Sequence, residues 1–501
     1  MIVNGKTALA CLTKVASLDG AQVITVEGLG TPENPHLIQE AYALSGAIQC
    51  GYCTPGMIMA TKALLDEKPN PEVDDIRWAL RHNLCRCTGY KKIIEAVQLA
   101  GRFVRGEVTP DAVRPKASDG YIGVSHPRPS ALPKACGTVH FGADIKLEGA
   151  LELAVLRSSV PHARIVSIDA SEAEKMPGVA GVMRGTDVKG TGVIKFMAPD
   201  RPVICGDKVH TIGDPILVVA ADTKAQAEAA VKAVKVEFEA LPVVENVEAS
   251  LAEGAIQIHP NLPNLVADAS VVKGDAEKAL ADSAVMVEGR FNTQRVHMAA
   301  LEPEVTLAYW EDEDEGEDAL LVISGRSINI HHALGMLQEA LGWENMKYIE
   351  SSTGGQFGMK LDVVSEAIAG AAAIHFKRPI RYVPSLAESI LMCSKRHAYD
   401  MKVKLGADAK GKITGYSIDI LMDKGAYRSA DIFGRSLFTV SGSYNIPNLK
   451  CRLRLAYTNN PWGAQPGARD SRRSRSPWNA PWRCWPRNSE WTRSSSDFRT
   501  R

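Results

Sequence analysis

The chain has 501 residues, which is too long for one ordinary hydrophobic core, so its length alone predicts two to four domains. Its hydrophobic content of 45% and charged content of 23% are typical of a globular protein. Lysine plus arginine and aspartate plus glutamate balance at 58 each, which excludes a global field that would attract nucleic acid or an anionic membrane.

The sequence carries no recognisable targeting signal. No apolar run reaches the roughly 18 residues that a membrane-spanning helix needs, and the first residues lack the basic and apolar blocks of a signal peptide. Six of the ten cysteines are scattered without a pairing rhythm, which favours a reducing compartment: Cys11, Cys136, Cys205, Cys393, Cys451 and Cys484. We therefore predict a cytoplasmic protein with neither a nucleic-acid nor a membrane partner.

The first thirty residues predict a small β element. Asn4-Gly5 is a turn signal between two short apolar segments, and residues 22–26 form a further predicted strand. A hairpin and one strand bury too little surface for a core. We expect them to complete a sheet supplied elsewhere, or to be the remainder of a domain that has lost its opening half.

Residues 31–106 have a helical pattern. Apolar residues recur at spacings near 3.6 over 36–48, and Thr54-Pro55 is a favourable N-cap and first-turn pair for a second helix over 56–65. Asn70-Pro71 opens a third predicted helix that continues through Leu80 to Leu84, and residues 90–104 form a fourth. The pattern predicts a small four-helix bundle.

Two cysteine motifs lie at junctions of this predicted bundle. Cys50-Gly51-Tyr52-Cys53 and Cys85-Arg86-Cys87 bring four thiols into two close pairs, which predicts a metal site. Cys-x-Cys is tighter than the spacing usual for structural zinc, whereas four cysteines from two loops suit a [2Fe-2S] cluster. We favour the iron–sulfur cluster, and keep zinc or four buried cysteines that bind nothing as alternatives.

The middle of the chain changes character twice. Residues 107–134 contain five prolines and little periodicity, which predicts a linker. Residues 135–252 combine strands at 151–156 and 216–221 with a helix at 223–234, which indicates a mixed α/β domain, and 253–465 continue as α+β.

The last 36 residues differ in composition from the rest. Residues 466–501 hold nine arginines, no lysine and four of the eight tryptophans. One interpretation is a basic disordered tail. We favour out-of-frame translation beginning near Gln465-Pro466, because codons can be chosen for 475–496 whose one-base shift encodes an amphipathic helix.

The cysteine motifs, extended to Gln49 through Gly56 and Cys85 through Tyr90, resemble the helical [2Fe-2S] domain of the molybdenum hydroxylase (xanthine oxidase) family. The likeness is strongest to flavin-free bacterial aldehyde oxidoreductases. Stretches around His162 and Gly178 resemble the family's α/β hammerhead domain, and the loop from Gly354 to Lys360 resembles the first half of its molybdenum-binding region.

The resemblance implies a multidomain α+β fold that is incomplete at both ends. The expected parts are a remnant of a plant-type, ferredoxin-like β domain (1–30), a four-helix [2Fe-2S] bundle (31–106), a linker (107–134), an α/β hammerhead domain (135–252), the first part of an α+β molybdenum-cofactor-binding domain (253–465) and the out-of-frame tail (466–501). Of the ferredoxin-like cysteines only Cys11 remains, so one cluster is expected.

The resemblance also implies site residues. Cys50, Cys53, Cys85 and Cys87 would bind the cluster. The residues expected at the molybdopterin are Gln49, Cys87, Gly354, Gly355, Gln356, Phe357, Gly358, Ala464 and Gln465. Glycines in such a loop let backbone N–H groups approach an anionic pterin. The family's catalytic glutamate has no counterpart here, so no catalytic residue is assigned.

The implied activity is molybdenum-dependent oxidation of an aldehyde with water to a carboxylate, with electrons leaving through the [2Fe-2S] cluster to an acceptor protein. No FAD is expected, because a linker stands where a flavin domain would lie. A homodimer is among the expected assemblies. The alternative function is a non-catalytic [2Fe-2S] electron-transfer or scaffold subunit that needs another chain.

Overall fold

The computed structural model describes residues 1–311, 319–327, 329–430 and 432–464. These residues divide into two units. The first comprises residues 1–146 with two short segments, 299–302 and 351–355, and the second comprises the described residues of 147–298, 303–350 and 356–501.

The first unit begins with a three-stranded antiparallel sheet. Strand β1 (Ile2–Val3) pairs with β2 (Lys6–Thr7) and with β3 (Val23–Ile24). Between β1 and β2, Asn4 and Gly5 have φ of 48° and 81°, so both central residues are left-handed, as a two-residue hairpin turn requires. The predicted hairpin is therefore confirmed. Ile2 is buried in the helical core that follows.

Six α-helices follow the sheet in the first unit. They are α1 (Leu37–Leu44), α2 (Thr54–Glu67), α3 (Val73–Ala79), α4 (Lys91–Val104), α5 (Pro110–Val113) and α6 (Ala131–Ala135). Helix α1 begins with a reciprocal cap, in which His36 Nδ1 accepts the Ile38 N–H and Gln39 Oε1 accepts the His36 N–H. The N-cap of helix α2 is Cys53, one residue before the predicted N-cap Thr54.

The predicted linker is only partly extended. It contains α5, and its end forms α6, whose Ala131 and Ala135 are buried in the helical core. Gln39 Nε2 donates to the carbonyl of Ala135 at 3.3 Å, which fastens α6 to α1. Between the two helices the chain is exposed, with Ile122 99% accessible.

Three larger sheets organise the second unit. The strands of this unit are β4 (Leu151–Arg157), β5 (Ala163–Asp169), β6 (Val179–Met183), β7 (Val193–Lys195), β8 (Pro199–Pro202), β9 (Lys208–Val209), β10 (Pro215–Ala221), β11 (Lys235–Ala240), β12 (Leu265–Lys273), β13 (Val285–Thr293), β14 (Thr306–Trp310), β15 (Leu321–Gly325), β16 (Met346–Glu350), β17 (Ile380–Tyr382), β18 (Ala398–Ala407), β19 (Ile413–Gly425) and β20 (Asn448–Tyr457). The seven-stranded sheet has the order β16-β15-β14-β17-β4-β10-β6, the five-stranded sheet β12-β20-β19-β18-β13 and the three-stranded sheet β11-β5-β9, while β7 pairs with β8 alone.

The seven-stranded sheet crosses the predicted boundary at residue 252. Strand β4, from the predicted hammerhead domain, pairs in parallel with β17, from the predicted molybdenum domain. Arg381 on β17 donates to Glu152 on β4 at 2.6 Å across this pair. One sheet therefore takes strands from both predicted domains.

The helices of the second unit lie between these strands along the chain. They are α7 (Ser171–Glu174), α8 (Lys224–Val231), α9 (Val247–Ser250), α10 (Ala276–Ala281), α11 (Ile330–Leu341), α12 (Val364–Phe376), α13 (Leu386–Met392) and α14 (Phe433–Phe438). Thr223 caps α8 by accepting the Gln226 N–H with its hydroxyl oxygen. Helix α12 follows the glycine-rich loop and is buried on nearly every face, since its small residues pack against β14, β15 and β17.

Candidate functional site

The four motif cysteines lie at two helix junctions of the first unit. Cys50 and Cys53 occupy the connection into α2, where Gly51 has a left-handed φ of 89° that glycine adopts without strain. Cys85 and Cys87 lie between α3 and α4. The two junctions bring all four thiols together.

The thiols meet in pairs that join one motif to the other. Cys87 Sγ lies 3.4 Å from Cys50 Sγ, and the Cys85 thiol is hydrogen-bonded to Cys53 and to Cys87. The hydrogen bond from Cys87 lowers the pKa of Cys50 to about 7, and the bond from Cys53 lowers the pKa of Cys85 below its usual range. The same hydrogen bonds raise the pKa values of the partners Cys53 and Cys87. The site is therefore a candidate metal site because it gathers four thiols, whose thiolate forms bind metal ions, and not because of their pKa values.

The residues after the second motif fold back to hold Cys85. The Cys85 N–H donates to the Tyr90 hydroxyl at 2.9 Å, and that hydroxyl donates to the carbonyl of Asn83 at 3.1 Å. Thr88 Oγ1 lies 3.2 Å from Cys85 Sγ and accepts the Tyr90 N–H. The left-handed φ angles of Gly89 and Tyr90, 64° and 66°, make this return possible.

The donor set fits a [2Fe-2S] cluster. It consists of four thiols, two from each motif, and each iron of such a cluster takes two cysteines. Across the described ranges, no group of three or more histidine, cysteine, aspartate or glutamate side chains is arranged around one metal ion. A dinuclear cluster does not need such a group.

Gln49 lies beside the thiols and is exposed. Its carbonyl oxygen accepts hydrogen bonds from Arg128 Nη1 at 2.9 Å and Lys134 Nζ at 3.2 Å. Burial lowers the pKa of Lys134, whose charge also acts on Cys50 and Cys87. These two cations come from the predicted linker, so the linker contributes to the surroundings of the thiols.

The first part of the glycine-rich loop packs within the first unit. Gly354 donates its N–H to Glu302 Oε2 at 2.7 Å and accepts the Glu302 N–H at 3.2 Å. A Cβ atom at Gly354 would lie 2.5 Å from the Tyr52 ring, so the loop approaches the ring too closely for any residue but glycine. Tyr52, between two motif cysteines, thus touches the loop directly.

The second part of the loop lies in the second unit. Phe357 and Gly358 have left-handed φ angles of 54° and 90°. The Nε2 atom of Gln356 is buried and has no hydrogen-bond partner in the described part of the chain. An unsatisfied buried amide beside a glycine turn fits a site that takes a polar ligand.

A buried acidic residue of the second unit, Glu304, was not identified from the sequence. Glu304 is fully buried, and burial raises its pKa to about 7. The Cys393 thiol donates to Glu304 Oε1 at 3.0 Å, while the buried Lys360 and Glu366 act on the same carboxyl. The sequence signal that could have found it is Glu302-Pro303, just before it, which also resembles the family pattern.

The last described residues are firmly held. The Ala464 N–H donates to the carbonyl of Lys395 at 2.9 Å, and Lys424 Nζ donates to the carbonyls of Gly463 and Ser429, both at 3.0 Å. Gln465 and the tail 466–501 lie outside the described residues. Ala464, which the resemblance places at the molybdopterin, is thus hydrogen-bonded to the backbone of Lys395. The part that Lys395 and Lys424 play in holding this end of the described chain was not predicted from the sequence.

Three family models match the chain in succession. A [2Fe-2S] binding domain matches residues 25–98, the a/b hammerhead domain of aldehyde oxidase and xanthine dehydrogenase matches 136–242, and a molybdopterin cofactor-binding domain matches 258–466.

Curated relatives match longer stretches of the chain. The aldehyde oxidoreductase of Megalodesulfovibrio gigas is 39% identical over 490 residues, which cover 93% of this chain and 53% of the relative. The large molybdopterin subunit of the nicotinate dehydrogenase of Eubacterium barkeri is 32% identical over 344 residues, covering 68% of this chain and 80% of the subunit. The chain belongs to the molybdenum hydroxylase family.

A solved member of the family has the same fold. The aldehyde oxidoreductase from Desulfovibrio gigas, activated with dithionite and sulfide, superposes with a TM-score of 0.85 at 37% identity, over 92% of this chain and 53% of that one. The chain thus spans about half the length of this relative. The predicted family and multidomain α+β fold are confirmed.

The family models also confirm the two predicted cofactors, a [2Fe-2S] cluster and molybdopterin, and nothing in them favours zinc. The domain boundaries and the individual site residues stay predictions. Among the helices that the structure describes, none is both long and apolar enough to cross a bilayer.

Proposed function

We propose that this chain belongs to a molybdenum-dependent oxidoreductase that converts an aldehyde and water into a carboxylate and passes the electrons on through a [2Fe-2S] cluster. The observation that carries the proposal is the extended likeness to an aldehyde oxidoreductase, 39% identity across 93% of this chain. When bound, the molybdenum cofactor supplies a two-electron acceptor that is reoxidised one electron at a time.

The chain's own residues would divide the work. Cys50, Cys53, Cys85 and Cys87 would hold the cluster, and Gln49 together with Cys87 would face the pterin. Gly354, Gly355, Gln356, Phe357 and Gly358 would form the cofactor-binding loop, joined by Ala464 and Gln465. The Gly354 N–H is taken up by Glu302, so the other backbone N–H groups of the loop would face the cofactor. No residue is assigned as proton acceptor.

The electron acceptor is proposed to be another protein. Relatives include subunits named as parts of complexes, such as the large subunit of nicotine 6-hydroxylase from Paenarthrobacter nicotinovorans. The aldehyde as substrate, the homodimer, the cytoplasmic location and the lack of FAD belong to the same proposal. The alternative, a non-catalytic electron-transfer or scaffold subunit, is favoured by none of the comparisons.

Cofactor analysis tests the proposal. The protein is purified without oxygen from a molybdenum-replete host, and iron, sulfide, molybdenum and pterin are measured. About two irons and two sulfides are expected, together with molybdenum and pterin. Iron without molybdenum or pterin would support the non-catalytic alternative instead.

A further inference from the structure

A buried arginine of the second unit has hydrogen-bond donors that lack acceptors. Arg201, on β8, is only 4% exposed. Its Nη1 atom lies 3.5 Å from Asp362 Oδ2, but its Nε and Nη2 atoms are buried and have no partner among the residues that the structure describes. Buried donors of a charged group are rarely left so, because nothing replaces the water they have lost.

The two unpartnered atoms form one edge of the guanidinium group. Nε–H and Nη2–H point the same way in the guanidinium plane, and this fork matches the two oxygens of a carboxylate. Aromatic rings pack against the group, with Cζ 4.1 Å from the Trp462 ring centre and 5.4 Å from that of Tyr427. A flat anion in the guanidinium plane suits such surroundings.

The nearby carboxylates are engaged with other donors. Asp362 accepts from Trp462 Nε1 (2.7 Å) and Ser429 Oγ, Asp200 from the Arg428 N–H (2.7 Å) and Tyr457 OH (2.8 Å), and Asp214 from Tyr427 OH (2.6 Å) and the His210 N–H (2.7 Å). None of them is hydrogen-bonded to the Nε–Nη2 edge of Arg201 in the described ranges. That edge therefore needs an acceptor from elsewhere.

A second cation reinforces the demand for an anion. Lys395 is buried, and its Nζ lies 5.6 Å from the centre of the same Trp462 ring. Its pKa is lowered to about 8, first by burial and then by neighbouring cations that include Arg295 and Arg201. An additional negative charge close to both groups would relieve this repulsion.

We propose that the Nε–Nη2 edge of Arg201 is a carboxylate-binding site. The ligand is a free small carboxylate. The suggestion that this carboxylate is the product of aldehyde oxidation rests on the proposed function. Carboxylate binding at Arg201 does not rest on it, so each statement can be refuted without the other.

The test uses the full chain and acetate as the probe. Thermal unfolding is followed in sodium acetate and in sodium chloride of equal ionic strength, for the unsubstituted protein, Arg201→Lys and the control Arg452→Lys, an exposed arginine paired with Asp268. Lysine keeps the charge but loses the fork. Acetate should raise the midpoint by about 1–3 °C, saturably, in the unsubstituted protein and the control only.

A crystal structure of the unsubstituted protein, grown with acetate, locates the ligand. Acetate oxygens within hydrogen-bonding distance of Nε and Nη2 would support the proposal. Water or a side chain of the protein at this edge, together with no acetate effect, would overturn it. A larger saturable effect of inorganic phosphate than of acetate would overturn the assignment to carboxylates.

Discussion

The cysteine site of the first unit and the buried polar network of the second unit (Arg201, Asp362, Lys395, Ser429 and Trp462) are built in opposite ways. The cysteine site takes its donors from two short motifs at helix junctions, and its thiols are mostly half-exposed. The network draws single residues from distant parts of the chain and buries every one of them.

This difference decides how each site fails. A metal site loses its function when one donor is removed, whereas its bundle keeps an apolar core of its own. In the buried network Asp362 accepts hydrogen bonds from both Trp462 and Ser429, so removing its carboxyl leaves several donors without partners. Substitution should therefore remove the bound cluster at the cysteine site, and lower the free energy of unfolding at the buried network.

The largest expected effect is at the cysteine site. Cys85→Ser or Cys87→Ser should remove most of the visible absorbance of the anaerobically purified protein, because each removes one of four cluster ligands. Cys11→Ser is the matched control, since Cys11 is exposed and lies outside the thiol group. Absorbance retained in full by both variants would refute the cluster assignment.

The network should respond in stability. Asp362→Ala leaves Trp462 Nε1, Ser429 Oγ and Arg201 without their acceptor, which should cost about 3–5 kcal/mol in the free energy of unfolding. Urea titration measures this. Asp268→Ala, which removes a half-exposed ion pair with Arg452, should cost at most about 1 kcal/mol. Equal losses would mean that burial does not distinguish the two carboxylates.

A smaller effect is expected where Tyr52, in the first cysteine motif, meets Gly354 of the glycine-rich loop. Gly354→Ala places a Cβ 2.5 Å from the Tyr52 ring and 2.6 Å from Glu302 Cβ, and such overpacking should cost about 1–3 kcal/mol. Gly335→Ala is the control, because it lies in α11 with nothing within 4 Å. That change should stabilise by about 0.5–1 kcal/mol. A neutral Gly354→Ala would show that the ring moves aside.

The weakest expected effect is a pH dependence of the second unit. Burial lowers the pKa values of His162, His210, His259 and His297, so below about pH 6.5 the unfolded chain binds more protons and stability falls with pH. Burial also raises the pKa of Glu304 to about 7 and raises the pKa values of Asp200 and Asp214, and these carboxyls oppose the loss as the pH falls.

Four histidines are set against three carboxyls, so we expect a net loss of at most about 1 kcal/mol per pH unit below pH 6.5. Unfolding at a series of pH values measures the slope. His210→Asn should flatten it, whereas His331→Asn should not, because His331 is exposed on α11. A slope unchanged by His210→Asn would rule out that histidine as a source.

These contrasts explain what could be read from the sequence. Cys50, Cys53, Cys85 and Cys87 are chemically distinctive and closely spaced, so they were identified together without any tertiary information. Asp362 and Arg201 look like ordinary charged residues in the sequence, and only the folded chain brings them together. Their pairing depends on long-range strand order, which local periodicity does not encode.

Element ends were less predictable than elements. The third helix was expected to reach Leu84, but α3 ends at Ala79 and Leu84 is 65% exposed. The apolar spacing continued past the point where the chain turns towards Cys85, because the requirements of the cysteine junction prevail over helical periodicity there. The N-cap of α2 moved to Cys53 for a similar reason.

The parallel pairing of β4 with β17 has a practical consequence for anyone who divides this protein. The two strands belong to segments matched by different family models, yet they lie side by side inside one sheet. A chain cut near residue 252 would give two fragments, each with a new unpaired strand edge. Such edges pair with strands of other molecules. Both fragments should therefore aggregate when they are produced separately, and remain in solution only when they are produced together.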